Sequence, residues 1–192
     1  MNKNRLKRSP SQTGFTIIEL IVSMGIFIVV IVTSTTMFVY MLRSQARILV
    51  EQKLISEIDY AVEYTGRALR MAVKDKTGDC LGIENIGKNY FLTPASPVNP
   101  ASRGGIKFIN NNFSPAVCQE FYLGIDGILY EKISNAPSVA LTSGGIQINN
   151  NDNPFRLFGD APNFQPRVSI NFDAQAIGVA DPPRKIIQTT VS

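Results

Sequence analysis

One stretch limits what this chain can become more than any other. From Leu20 through Leu42 no residue is charged, and the run is rich in Ile, Val, Met and Phe. At ~1.5 Å per helical residue it reaches about the hydrocarbon thickness of a bilayer. Ser23, Thr33, Ser34, Thr35 and Thr36 lie within it. Such hydroxyls bond back to helix carbonyls, so they are compatible with a membrane helix. Ahead of the run stand Lys3, Arg5, Lys7 and Arg8, and residues 1–14 contain no acid. That asymmetry predicts a cytoplasmic N-terminus and puts the chain beyond Leu42 outside the cytoplasm. A secretory signal peptide also has a basic start and an apolar core, but this run is too long for one and has an acid near its start. A plain membrane anchor is the other ordinary reading.

Glu19 separates these readings. An unpaired acid at membrane depth costs on the order of 2–3 kcal/mol, so a simple anchor has no reason to carry one. Its partner should be positive and close, yet no Lys or Arg lies within one turn on the C-terminal side. A free amine created by cleavage nearby would serve.

Composition narrows the chemistry. The chain has 192 residues, room for one ordinary domain and an appendage. Its net charge of +4 belongs to the basic leader; from Phe15 onward 15 basic residues face 15 acidic ones. Basicity confined to a short tail is no footprint for nucleic acid, and none is expected as a partner. With no His, neither Ser-His-Asp nor Cys-His catalysis nor a His-ligated metal site is available. Two Cys cannot build a zinc or iron–sulfur cage. No catalytic residue, metal or cofactor is expected, and the chain is read as a non-enzyme.

The segment Gly14-Phe15-Thr16-Ile17-Ile18-Glu19-Leu20, after a basic leader and before a long apolar run, resembles the processing motif of type IV prepilins. That family comprises pilins, minor pilins and the pseudopilins of type II secretion systems. The resemblance covers residues 1–42 and implies a set of roles. Prepilin peptidase would cut between Gly14 and Phe15 and N-methylate Phe15. Glu19 would pair with the Phe15 amine of a neighbouring subunit in the filament. Other partners implied are pilin or pseudopilin subunits packed through the N-terminal helix, an inner-membrane assembly platform, and membrane lipid before assembly. The chain would be a single-pass protein of the cytoplasmic membrane first and part of an extracytoplasmic or cell-surface filament later. Physical logic agrees. Gly14 has no side chain to obstruct a peptidase, and two buried opposite charges on adjacent helices offset each other's desolvation. Major pilins usually carry Pro at the position of Thr36 and are Ala-rich nearby. Ser23-Met24-Gly25-Ile26-Phe27 looks more like J-type minor pseudopilins and minor pilins.

The helical pattern continues past Leu42. Ile48, Ile55, Val62 and Leu69 recur every seventh residue, with Leu54, Ile58, Ala61, Ala68 and Ala72 on the same side. Arg47 with Glu51, Lys53 with Glu57, and Glu63 with Arg67 are spaced to pair along the other face. Glu51 and Thr65 at seam positions argue for core packing rather than a coiled coil. One helix over residues 15–74 is predicted, roughly 90 Å long, with residues 15–42 in the membrane and Gly78 as its stop. Residues 1–14 are the leader and 75–192 an extracytoplasmic, β-rich head.

In the head, strands are expected at Ile106–Ile109, Val117–Leu123, Ile128–Ile133, Arg167–Phe172 and Arg184–Val191. A hairpin turn is expected at Gly124-Ile125-Asp126-Gly127, and residues 84–105 read as an irregular connection. The predicted fold is α+β, a long helix packed on an antiparallel sheet, pilin-like. Cys80 and Cys118 fall outside the cytoplasm, where a disulfide persists; two buried free thiols are the alternative. The Asn runs at 110–112 and 149–153 read as polar turns rather than calcium loops. Gly104-Gly105 and Gly144-Gly145 read as turns, and the Asn112-Phe113-Ser114 sequon as chance. Nothing local brings Glu120, Asp126 and Glu131 together as a hydrolytic pair. The expected function is a filament subunit. An adhesive or ligand-binding module carried on the filament is the alternative, and an enzyme on a membrane anchor a more distant one.

Overall fold

A computed structural model describes residues 14–98, 101–159, 165–179 and 181–192. The basic leader, with Lys3, Arg5, Lys7 and Arg8, lies outside the described residues. A single helix, α1, runs Ile17–Arg70. Two units divide the chain, Met1–Ala46 and Arg47–Ser192.

In the first unit, the Thr16 carbonyl opens α1 by accepting the N–H groups of Glu19 at 3.1 Å and Leu20 at 3.2 Å. Every described residue here is exposed, and the most apolar window has a mean hydropathy of 2.6. An apolar surface of this extent needs lipid or other apolar helices around it. The hydroxyls turn inward to their own helix, as expected from the sequence. Ser23 donates to Leu20 O at 2.9 Å, Thr33 to Val29 O at 3.0 Å and Thr35 to Ile31 O at 2.8 Å. Thr36 donates to Thr33 O at 2.8 Å, and the helix passes through it unbroken.

In the second unit, α1 buries Leu54, Ile58, Ala61, Thr65, Gly66, Ala68 and Leu69. The seven-residue row predicted as the centre of the stripe is instead mostly its margin. Ile48 is half exposed, Ile55 and Val62 are half-buried, and only Leu69 is in the core. Thr65, assigned to a seam as a polar exception, is fully buried, and its hydroxyl has no hydrogen-bond partner. Lys53 and Glu63 pair with Glu57 and Arg67 as spaced. Arg47 and Glu51 do not pair with each other. Arg47 reaches Asp181 at 3.0 Å and Glu51 reaches Lys185 at 2.9 Å, since both acceptors lie across on the C-terminal hairpin.

The helix ends four residues earlier than predicted. Met71 N–H closes a tight last turn on Ala68 O at 3.1 Å. Ala72 and Val73 (β1) then pair with the end of β3, Ser102–Asn110. A strand edge supplies the partners that a further helical turn would have supplied, and Val73 is β-branched, which suits it. Gly78 is therefore not the helix stop.

Ten strands form two antiparallel sheets. The first has the order β1-β3-β4-β5-β6, with β2 (Tyr90–Thr93) also on β3. Here β4 is Val117–Gly124, β5 Leu129–Ile133 and β6 Val139–Ala140. The second runs β10-β9-β7, with β8 also on β9. Here β7 is Ile146–Ile148, β8 Phe155–Phe158, β9 Arg167–Ala176 and β10 Arg184–Val191. The long strands lie where alternation placed them, and β9 and β10 form the expected antiparallel pair. Two differences stand out. One sheet was expected and there are two. Residues 84–105, read as irregular, contain β2 and the start of β3. The unanticipated strands β2, β6, β7 and β8 are two to four residues long, too short for alternation to register. One core joins the helix to both sheets, with Leu54, Ile58 and Leu69 meeting Phe108, Phe121 and Phe172.

Candidate functional site

The N-terminal segment presents its features in a row. Gly14 has open space where a side chain would be. Phe15 is 80 % exposed, and Gly14, Phe15 and Thr16 precede the helix. Glu19 sits in the first turn of α1. A carboxylate there is favoured by the unpaired N–H groups and positive end of the helix. That end effect is modest and saturates within one turn, so a full positive charge remains the stronger partner. Gly14, Phe15 and Glu19 are thus contiguous, exposed and ordered along the helix start. Nothing else in this unit is ionisable between Glu19 and Arg43.

In the second unit, Cys80 and Cys118 are joined in a disulfide, with their Cα atoms 5.5 Å apart. It ties β4 to the loop that follows β1. That loop is organised by Asp75, which the sequence reading passed over. Asp75 is fully buried. Its Oδ1 accepts the N–H groups of Thr77 at 3.1 Å and Gly78 at 2.8 Å, and its Oδ2 those of Cys80 at 3.1 Å and Leu81 at 2.8 Å. Burial alone would raise its pKa, but the four backbone donors outweigh burial and hold the carboxyl below its ordinary value. Gly78 takes φ +81°, and a Cβ there would lie 3.0 Å from Ile83 Cα. Its left-handed backbone serves this loop. An Asp followed two and three residues later by Thr and Gly is the local signal that could have identified it.

The acids weighed as a catalytic pair do not converge. Glu120 stands between Lys107 and Lys132 in the sheet register. Asp126 accepts Ile128 N–H at 3.0 Å and the Tyr130 hydroxyl at 2.7 Å within its own turn. Glu131 is buried on the face that meets α1 and accepts the Tyr64 hydroxyl at 2.9 Å and the Gln119 amide. Asn110 extends that chain, donating to Gln119 Oε1 at 2.6 Å. The Tyr64 hydroxyl is pushed up to about 12, first by burial and then by donating to Glu131. No single stretch of sequence signals this network, because Tyr64 and Glu131 lie 67 residues apart.

The Asn-rich loop is structural. Asn153 donates to Gly105 O at 2.8 Å, and Asn150 donates to Asn171 O at 2.9 Å. Together they link β3 of the first sheet to β9 of the second. Arg103 adds donors to Asn150 O at 2.8 Å and Ile125 O at 3.0 Å. Among the described residues no group of three or more His, Cys, Asp or Glu is placed to hold a metal ion.

No curated protein and no solved structure matches the chain. Residues 9–35 match the family described as the prokaryotic N-terminal methylation motif. The match spans the Gly14-Phe15 step, Glu19 and the first half of the exposed apolar helix. The chain therefore carries the prepilin-type N-terminal motif that marks the type IV pilin and pseudopilin family.

Proposed function

We propose that the chain is a structural subunit, of minor pilin or pseudopilin type, in a type IV pilus or a type II secretion-like filament. The observation that carries this is Glu19. It is a lone acid in the first turn of an exposed apolar helix, four residues behind a Phe that follows Gly14. Cleavage after Gly14 would free the Phe15 amine and remove all four leader charges. The amine of one subunit would meet Glu19 of the next, and the pairing would set the axial register of their helices. The exposed residues of the first unit would lie in lipid before assembly and among other subunits' helices after it. The chain would be a substrate of prepilin peptidase and no enzyme itself.

The minor or pseudopilin assignment is supported by Thr36, whose hydroxyl bonds within an unbroken helix where major pilins usually place Pro. Its abundance within purified filaments would separate a shaft subunit from a rare one.

Mass spectrometry of the membrane-derived protein tests the reading. A chain starting at N-methyl-Phe15 is expected, and an intact Met1 start in peptidase-competent cells would overturn it. Gly14→Val should remain uncut and membrane-bound. Glu19→Ala should be cut but poorly assembled, and its normal incorporation into filaments would refute the charge-pairing role.

A further inference from the structure

A cavity of about 530 Å³ opens where the last turns of α1 meet the end of β3 and the β3–β4 turn. That volume lies within the range of small-ligand sites. Its floor is polar and buried, since Asn110 is 3 % and Gln119 1 % exposed. Its walls are the Tyr64 ring, Ala68, Met71 and Phe113, of which Met71 and Phe113 are 49 % and 39 % exposed. Its rim carries Arg67 and Arg70. Arg67 is engaged by Glu63, whereas Arg70 pairs with no acid among the described residues.

The hydrogen-bond inventory of the floor selects the ligand. Asn110 Nδ2 gives one N–H to Gln119, and Gln119 Nε2 gives one to Glu131. Each amide nitrogen has a second N–H. The Tyr64 hydroxyl donates to Glu131 and keeps lone pairs. A ligand body with hydroxyls satisfies these groups, while a purely apolar ring would bury the amide N–H groups unpaired. Exposed aromatic faces suit the C–H side of a sugar ring. Arg70 offers a planar fork to a carboxylate. Glu131 lies behind the floor and already takes two donors on Oε1, so the ligand's acid belongs at the arginine rim and its hydroxyls on the amides.

We propose that this cavity binds an acidic sugar, a uronate residue of a polysaccharide. The site lies wholly in the second unit and does not depend on the filament reading.

Calorimetric titration of the full chain in lipid nanodiscs tests it, with sodium glucuronate as probe and empty nanodiscs as blank. Glucuronate should bind, with glucose and phenylacetate each at least about 5-fold weaker. Glucose lacks the carboxylate and phenylacetate lacks the hydroxyls. Arg70→Gln should weaken glucuronate about 10-fold, as expected for one lost charged contact, and Arg70→Lys should recover part of that. Both are exposed positions, so the unfolding midpoint should be unchanged. Phe113→Ala should also weaken binding. Absent glucuronate binding, equal binding of glucose or phenylacetate, or indifference to Arg70→Gln would each overturn the proposal. The mass of the mature chain would be unaffected by any of these outcomes, so the two readings stand or fall separately.

Discussion

At Asp75 two opposed effects meet in one side chain. Removing a carboxylate from water is unfavourable, yet four backbone N–H groups converge on it. Asp75→Asn would keep one acceptor oxygen and turn an NH2 group toward two buried donors. Leaving two such donors unpaired costs about 3 kcal/mol in total. The unfolding midpoint of the head should fall accordingly at neutral pH. The pH dependence has a definite sign. The folded pKa is lowered, so the stabilisation is fully present above the ordinary Asp value of about 4 and is lost as pH falls through the folded value. The gap between wild type and Asp75→Asn should therefore narrow below about pH 4, which acid-unfolding curves of the two would show. Thr65 offers the opposite case. Its buried hydroxyl has no partner, so the near-isosteric Thr65→Val should raise stability by about 1 kcal/mol, read from the same unfolding midpoint. A drop of that size would mean that the hydroxyl has a partner after all.

At the scale of elements, pairing decides boundaries. α1 stops at Arg70 because β3 offers Ala72 and Val73 a ladder. The other side of β3 depends on a close approach at Gly105, opposite Tyr122. A Cβ at Gly105 would overlap the Phe121 carbonyl and lie 2.7 Å from Tyr122 Cβ. Gly105→Ala should therefore destabilise the head by more than about 2 kcal/mol through forced separation of β3 and β4. Amide exchange should accelerate first along Ile106–Asn110; uniform protection would show that the strands absorb the methyl group. The helix is also held to the C-terminal hairpin by Arg47–Asp181 and Glu51–Lys185. Lys185 keeps the Glu51 carboxyl below its ordinary value, by a hydrogen bond first and by charge second. Both pairs are exposed, so salt should loosen them.

Across the whole molecule, the disulfide is the long-range covalent constraint. It closes a loop with a sequence separation of 38, worth up to about 4 kcal/mol in the chain-entropy model. Reduction should lower the unfolding midpoint of the head, and Cys80→Ser/Cys118→Ser should reproduce that loss. Alkylation without reductant should add no mass; labelling of either cysteine would refute the bond. Reduction should leave the helix over the first unit unaltered, because its surroundings are lipid or other helices rather than the head.

What could be read from the sequence follows range. The uncharged run, the basic leader, the Gly14–Glu19 segment and the strands β4, β9 and β10 were all legible, because each is a pattern within a few turns or one strand. Local chemistry and periodicity were enough to place them. The tertiary structure alone decided the two-sheet division, the true centre of the helix stripe, the shifted partners of Arg47 and Glu51, and the Tyr64–Glu131–Gln119–Asn110 chain. Each of those depends on which distant segments meet, and a buried polar group reveals its purpose only when its partner is in place. The sequence by itself determined a membrane-competent helix with one purposeful acid. Packing determined the cavity beside that helix's far end, since its walls and donors come from segments with no pattern in common.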